Sequence, residues 1–424
     1  MEKDSPLKVF DRTFNLPYLM GYFLAANAVR DLCAVVDGAN CVMQKVELLA
    51  GNHDLFCTLL SEDGAHRAVC TMASPLNPHK NPEKKLAALL NSLASSGRFG
   101  AAAVTGLPFC RLAGIDYAGV ARSVRGKVPV CGVPAASMEG DWLDGYDATL
   151  EALAGALPLG GKKSRLKAAV AGYFMDRNEY DHRANLKEMR RLLALAGLEL
   201  VSTWPSGGDC AGLSRAGEAG LVISLPYGRR TARALAARTG ARLLETGLPL
   251  GIGGTTAWLA AARKAAGLPG PLPAAVLAEE RAASAAVYPA LRGLAARRLL
   301  FAGDPHLFEA FSAFAAELCA DVTIAFLCSD PRPCAARRPA ELLFAPQPEA
   351  AAASRARLKR YERPALAVAN SFAVTSGLTG GAPFLELGFP SYGHHCLEDD
   401  PFLFYSGARR LAARMLNAMQ AGRG

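Results

Sequence analysis

Strand-like and helix-like segments alternate regularly from residue 165 onward, and this alternation constrains the fold more than any other feature of the chain. Helical patterns at 183–196 and 231–239 separate the short apolar runs. Those runs predict strands at 168–174, 198–204, 221–225 and 242–245. Strands that alternate with helices pair in parallel through crossover connections, so this segment predicts a doubly wound α/β domain.

A second unit of the same kind begins at residue 298. The segment 267–273, which precedes it, carries three prolines and two glycines and forms the clearest break in the chain, with helical sequence resuming at Ala274. The later unit contains a helix at 308–318 and apolar strands at 298–304, 322–328, 366–370 and 384–387. The first 165 residues are less regular, with strand candidates at 67–72, 101–105 and 128–133. A chain of 424 residues is too long for one ordinary core. We therefore predict three domains, at 1–165, 166–270 and 271–424.

Composition and charge argue against several classes of protein. The net charge is +9, but the cations are mostly arginines spread through alanine-rich helices, which is typical of a solvated helix face. We therefore expect no nucleic-acid partner; an acidic protein or an anionic substrate is the alternative. No uninterrupted apolar run reaches the roughly 18 residues of a membrane span. Residues 1–4 carry acids and no apolar run, so we expect a cytoplasmic protein.

The cysteines predict thiols rather than disulfides. There are 11 of them, and cytosolic thiols are kept reduced. The chain contains no C-x-x-C, which excludes a thioredoxin motif or a ferredoxin-type run, so a metal cluster has to draw on separated loops. Cys319 and Cys328 lie in apolar patterns and are expected to be core residues. Five others lie near strand ends in the first domain, which favours a cluster-bearing domain: Cys41, Cys57, Cys70, Cys110 and Cys131.

The carboxyl-terminal segment reads as a buried strand that opens into a glycine loop. Residues 383–390 spell P-F-L-E-L-G-F-P, and His394 and His395 follow shortly after. Parallel strands expose ligand crevices at this end, so the two histidines are candidate site residues. A Tyr405-Ser406-Gly407 turn and an amphipathic tail complete the chain.

These features resemble the nitrogenase component 1 superfamily, whose members share a late P-L/F-x-x-x-G-F-P strand, a polar loop, a Y-x-G turn and a final helix. Residues 36–41 resemble the family's H-G-x-x-G-C loop, and 104–116 resemble its second cysteine loop. In the family, the two cysteines ligate an iron–sulfur cluster between subunits. The resemblance therefore implies that Cys41 and Cys110 are cluster ligands, with Cys70 in reserve. It also implies three Rossmann-like α/β domains with parallel sheets around a central cleft.

Two positions depart from the family pattern. Tyr22 stands where a third cysteine normally lies, so two cysteines from each subunit of a dimer would supply the four thiolates of one [4Fe-4S] cluster. Asp37 or Asp116 is the reserve ligand if the subunits contribute unequally. Leu225 ends the strand that carries the catalytic cofactor's cysteine in the dinitrogen-reducing member, so dinitrogen reduction is not expected; Cys210, in the preceding loop, is the weak substitute.

Two glycine-rich segments invite a ligand-binding interpretation. Residues 160–164 read G-G-K-K-S but precede a strand, whereas a phosphate loop follows a strand and opens a helix, so we reject a P-loop there. Residues 248–256 match the family's x-P-x-G-I-x-x-T loop. The resemblance implies that Gly253, Gly254 and Thr255 bind an anionic group of a cofactor or tetrapyrrole. The alternative is a helix cap in which Thr255 or Thr256 bonds backbone amides.

Four histidines are further candidates for site residues. His53 and His66 lie between the two cysteine loops and, with His394 and His395, are candidates for proton donation or anion binding. Surface or strand-cap roles remain equally open for all four.

The resemblance implies an electron-transferring reductase subunit, in a homodimer or in a heterodimer with a related component 1 type subunit. Because no usable P-loop is present, its electrons would come from a separate ATP-dependent iron protein. The alternatives are a non-catalytic scaffold for metal-cofactor assembly and a cluster-free subunit.

Overall fold

The computed structural model describes residues 15–73, 81–336 and 339–422, so the expectation drawn from residues 1–4 lies outside it. The first sheet has the strand order β2-β1-β3-β4, with all strands parallel. Its strands are β1 (Leu32–Asp37), β2 (Ala68–Cys70), β3 (Ala101–Gly106) and β4 (Val130–Gly132). The helices of this region are α1 (Tyr18–Asn27), α2 (Met43–Leu49), α3 (Pro82–Ser95), α4 (Pro108–Leu112), α5 (Tyr117–Ser123) and α6 (Trp142–Ala156).

The second sheet is also parallel, with the order β6-β5-β7-β8. Its strands are β5 (Ser164–Ala171), β6 (Glu199–Trp204), β7 (Ala219–Ser224) and β8 (Arg242–Glu245). The accompanying helices are α7 (Tyr180–Leu195), α8 (Cys210–Ser214), α9 (Arg229–Thr239) and α10 (Ile252–Ala265). Buried apolar residues on both faces of β5 and β7 explain their continuous hydrophobic runs, as expected of a parallel sheet covered by helices.

The third sheet has five parallel strands in the order β11-β10-β9-β12-β13. They are β9 (Arg298–Gly303), β10 (Asp321–Leu327), β11 (Glu341–Phe344), β12 (Leu366–Ala369) and β13 (Phe384–Glu386). The helices are α11 (Ala274–Val287), α12 (Leu291–Leu294), α13 (Pro305–Glu317), α14 (Pro348–Ala356), α15 (Ser371–Thr375) and α16 (Phe404–Ala421). In the described part of the chain, no helix combines the length and the apolar character needed to cross a membrane.

The predicted fold class is confirmed, because three parallel α/β sheets are present. Individual elements differ from expectation. β1 is fully buried and was missed as a strand. β5 ends at Ala171, three residues before the predicted end, because Gly172 turns the chain at a φ of 79° and packs against Gly228. A Cβ on Gly172 would lie 2.2 Å from the Gly228 nitrogen. Cys328 is buried as expected, whereas the core assignment of Cys319 is wrong, since its side chain is exposed.

Two glycines allow the helices α1 and α6 to cross at close range. A Cβ on Gly21 would lie 1.7 Å from the carbonyl oxygen of Trp142, and one on Gly145 would lie 2.0 Å from that of Tyr18. Both neighbours are backbone atoms, which cannot turn aside as a flexible side chain can. This crossing packs α1 against the helix that leads into the second sheet.

We expect Gly21→Ala to lower the free energy of unfolding by at least about 3 kcal/mol, which is the upper end of the usual cost of overpacking. The added methyl group forces the two helix backbones apart. Gly155→Ala is the matched control: it lies on α6, is exposed, and has open space around the added Cβ. It should be neutral or stabilise by up to about 1 kcal/mol. Urea unfolding of both variants measures the difference, and equal stabilities would contradict the proposed close contact.

Candidate functional site at two strand-end edges

The three predicted cysteine ligands follow neighbouring strands of the first sheet. Cys70 ends β2 and pairs in register with Val36 of β1, while Asp37 pairs with Gly106 of β3. Cys41 follows β1 and is exposed, and Cys110 lies in α4, directly after β3. The carboxyl ends of parallel strands share one edge of a sheet, so the fold brings all three loops to the same edge.

Asp37 organises this edge. Its carboxylate accepts hydrogen bonds from the hydroxyls of Thr71, at 2.6 Å, and Tyr117, at 3.2 Å. Burial, and after it the neighbouring Asp37 charge, raises the pKa of the Cys110 thiol to about 12. Cys110 is therefore a neutral thiol in this arrangement, and ligation of a metal requires it to lose its proton. Asp116 accepts from the Gly119 amide at 2.9 Å and caps α5.

Tyr22, at the position of the third family cysteine, is fully buried. Its hydroxyl lies 3.0 Å from the carbonyl oxygen of Val35 on β1 and 2.8 Å from that of Ala103 on β3. The Tyr22 hydroxyl therefore contacts both strands in the interior of the first sheet.

The glycine loop before α10 already has an internal anion. The Glu317 carboxylate accepts from the amides of Ile252, at 2.8 Å, and Gly253, at 3.0 Å, and it also receives a hydrogen bond from the Gly254 amide. Thr255 is buried, and its hydroxyl donates to the Gly251 carbonyl at 2.6 Å. Glu317, and not the threonine of the alternative cap, accepts from these amides. A cofactor anion would have to displace this carboxylate to reach the amides.

His53 and His66 lie in different environments. His66 is exposed, and its Nδ1 accepts from the Ser61 amide at 3.1 Å, so it stabilises a turn. His53 is fully buried, and its Nδ1 accepts from the Ser391 amide at 3.0 Å. The other ring nitrogen, Nε2, lies 2.8 Å from Asp176 Oδ2. His53 therefore links the first domain to the carboxyl-terminal loop and to the second sheet.

Asp176 and His182 form a buried ion pair at the end of β5. Burial alone would raise the pKa of Asp176, but His182 and His53 outweigh it and hold the pKa well below its usual range. Burial alone would lower the pKa of His182, but Asp176 and Asp181 raise it above its ordinary value. Nδ1 of His182 lies 2.9 Å from the Tyr173 hydroxyl. The raised pKa of His182 favours the imidazolium form beside the Asp176 carboxylate, and both side chains belong to one hydrogen-bonded network.

A second cluster of charges fixes the loop that carries His394 and His395. Arg177 is buried, donates to Asp181 at 3.1 Å through Nε, and donates to the His394 carbonyl at 2.7 Å. The Glu179 carboxylate lies 2.8 Å from His395 Nδ1. Both histidines are partly exposed. The sequence prediction placed this pair beside a crevice, and His394 does line one.

That crevice is a cavity between the second and third sheets, with a water-accessible volume of about 40 Å³. Such a volume holds about three water molecules. Its polar lining includes Asp304, whose pKa burial raises to about 6 and whose carboxylate accepts from the Tyr227 hydroxyl at 2.8 Å. The other charged or histidine side chains that line it are Asp176, Arg177, Asp181, His182, Glu386, His394 and Arg414.

Comparison with known proteins now places the chain. The family model for nitrogenase component 1 type oxidoreductases matches residues 82–420. The chain belongs to this family. A light-independent protochlorophyllide reductase subunit N from Acidiphilium rubrum is 30% identical over 198 residues, a match that spans 46% of this chain and 44% of that protein.

Two solved structures share the nitrogenase component 1 fold. Nitrogenase Cp1 at pH 6.5 superposes with a TM-score of 0.77 at 16% identity, over 97% of this chain and 93% of that one. Nitrogenase Cp1 at pH 5 gives a TM-score of 0.68 at 13% identity, over 97% and 89%. At these identities the likeness establishes the fold alone.

Apart from His394, the charged residues that line the cavity of this nitrogenase component 1 type chain were not predicted from the sequence. Four of them follow β5 within one short run, namely Asp176, Arg177, Asp181 and His182, and Glu179 in the same run contacts His395. A signal was available, since charged residues directly after a predicted parallel strand lie at the edge where ligands bind. Asp304 carries the same signal after β9.

Proposed function

We propose that this chain is a nitrogenase-like reductase subunit that carries an iron–sulfur cluster and accepts electrons from an ATP-dependent iron protein. The observation that carries the proposal is that the loops of Cys41, Cys70 and Cys110 follow neighbouring strands at one edge of the first sheet, within a member of the component 1 type family. Thiolates are the donors that iron–sulfur clusters prefer.

In this proposal Cys41 and Cys110 hold the cluster, and a second subunit supplies the remaining thiolates. The exposed thiol of Cys41 is available to a ligand shared with a partner. Two large apolar side chains beside the cysteines support a covering subunit, since Leu112 is 79% exposed and Met72 is 61% exposed. Met72 Sδ lies 3.5 Å from the Cys70 thiol. Cys70 remains the reserve ligand. The partner is a second copy or a related component 1 type subunit.

The proposed substrate site is the cavity between the second and third sheets. A pKa of about 6 allows Asp304 to deliver a proton near neutral pH, and His394 lies on the same cavity wall. His395 contacts Glu179, and the buried His53 contacts Asp176, which lines the same cavity. A volume of about 40 Å³ favours a small substrate over a tetrapyrrole unless the cavity opens.

Anaerobic purification followed by cluster reconstitution tests the proposal. We expect a brown protein with about four irons per dimer and an EPR signal after reduction. Addition of an iron protein and ATP should reduce the cluster, because the segment 160–164 leads into β5 and does not open a helix, so it offers no phosphate loop. A colourless, iron-free protein after reconstitution contradicts the proposal. An assembly scaffold would instead give up its metal to an acceptor, so iron content after repeated turnover separates the two functions.

A further inference from the structure

Three metal-ligating side chains converge in the loop between β13 and α16. His394 Nε2 lies 3.4 Å from Cys396 Sγ and 3.8 Å from Asp400 Oδ2. One ligand atom from each of the three lies within 4.8 Å of the other two, and no other trio of this kind occurs in the described part of the chain. The three residues come from one short stretch that the buried charge cluster holds in place.

The spacing matches a tetrahedral zinc site. Zinc–nitrogen bonds of about 2.0–2.1 Å and zinc–sulfur bonds of about 2.3 Å place the two ligand atoms roughly 3.5 Å apart. The observed separation between His394 Nε2 and Cys396 Sγ is 3.4 Å. An ion therefore fits between imidazole and thiol with little movement. The Asp400 carboxylate lies 3.8 Å from His394 Nε2 and within 4.8 Å of Cys396 Sγ, so it has to approach by up to about 1 Å.

The backbone around the donors is fixed by hydrogen bonds. The Cys396 amide donates to Glu179 Oε2 at 2.7 Å, and the Cys396 carbonyl accepts from the Tyr180 amide at 3.1 Å. Arg177 donates to the His394 carbonyl at 2.7 Å. These contacts order the ligand residues before a metal binds. Less conformational entropy is then lost on binding, which favours it.

The surrounding charges have opposite effects on the binding of a cation. The Asp400 carboxylate supplies an oxygen donor on the same side as His394 Nε2. Nη1 of Arg410 lies 3.0 Å from Asp400 Oδ1, and Nη1 of Arg414 lies 3.5 Å from Oδ2. Burial raises the pKa of the Cys396 thiol to about 12, so a metal has to replace the thiol proton. The two arginines orient the carboxylate but repel a cation, and they therefore lower the affinity.

We propose that His394, Cys396 and Asp400 bind one divalent ion of the zinc class, beside the cavity that His394 lines. A thiolate, an imidazole and a carboxylate suit zinc, and also cobalt in its place. Three protein ligands with one open position are the arrangement of catalytic zinc sites, in which the ion activates a bound water or polarises a substrate oxygen. The site lies in the third domain and does not depend on Cys41 or Cys110.

Metal binding by the full chain, purified without a histidine tag, tests this site. Zinc chloride titrated against a chelating dye should bind at one ion per chain. Cobalt chloride should give a thiolate-to-cobalt charge-transfer band together with tetrahedral d–d bands. We expect His394→Gln, Cys396→Ser and Asp400→Asn each to weaken zinc binding by at least about 100-fold, because loss of an outer-shell partner alone costs about 10–100-fold. The charge-transfer band should disappear in Cys396→Ser.

Two matched controls should keep the affinity. Asp399→Asn removes the neighbouring carboxylate, which pairs with Lys187 at the surface, and Cys319→Ser removes an exposed thiol elsewhere. Circular dichroism checks that each variant is folded; if Cys396→Ser is not, His394→Gln decides. Absence of stoichiometric zinc, or an affinity that the three ligand variants leave unchanged, overturns the proposal.

Discussion

Replacing His182 by glutamine is expected to lower the free energy of unfolding at about pH 6 by roughly 3–5 kcal/mol, the cost of removing one partner from a buried ion pair. Both side chains of the pair are buried, at 5% exposure each. Without the imidazolium, Asp176 keeps His53 at 2.8 Å as its neighbour but loses its principal counter-charge.

The pH dependence of this loss has a definite sign. The pKa of His182 in the folded protein lies above its ordinary value of 6.5. Its contribution is therefore fully present below pH 6.5 and is lost as the pH rises through the raised value. In the wild type Asp176 has a lowered pKa, so its own contribution there is lost only in strong acid. The difference between wild type and His182→Gln should accordingly shrink from about pH 6 to pH 9.

Urea unfolding at several pH values measures this difference. Other groups such as Asp304 titrate in both proteins and cancel in the comparison. Lys187→Gln is the matched control, because it lies on the same helix and forms an exposed pair with Asp399. Its loss should cost no more than about 1 kcal/mol. A His182→Gln effect that stays constant across the pH range would refute the protonated state of the pair.

Replacing Cys41 or Cys110 by serine is expected to remove most of the iron bound after reconstitution, at least about tenfold. A serine oxygen is a harder and less readily deprotonated donor than a thiolate, so the cluster loses a ligand that iron prefers. Cys70→Ser should have a smaller effect, since Cys70 is the reserve ligand. Iron analysis and the reduced EPR signal report the loss directly.

Cys319→Ser is the matched control, because Cys319 is exposed like Cys41 but lies in the third domain. It should leave the iron content unchanged. Cys110→Ser also removes a buried thiol that contacts Asp37, so the melting temperature of the iron-free protein separates a folding defect from a ligand defect. If both variants bind iron as wild type does, the cluster assignment to this edge is wrong.

The local sequence pattern was sufficient to predict the elements that clear loop signals bound. The predicted strand at 242–245 matches β8, and the helix expected after the proline-rich break begins at Ala274. β1 was missed although β3, which is buried at all six positions in the same way, was predicted. The early end of β5 depends on a backbone contact between Gly172 and Gly228, which are far apart in sequence.

The sequence by itself determined the parallel α/β class and the positions of the three cysteine loops, because strand–helix alternation and loop motifs are local properties. Only the tertiary structure decided which side chains meet. It places His53 on Asp176 and Ser391, gives the amides of Ile252 and Gly253 to Glu317, and brings His394, Cys396 and Asp400 together. Such contacts depend on how separate domains pack, on burial that shifts protonation, and on loop geometry, none of which a one-dimensional pattern contains.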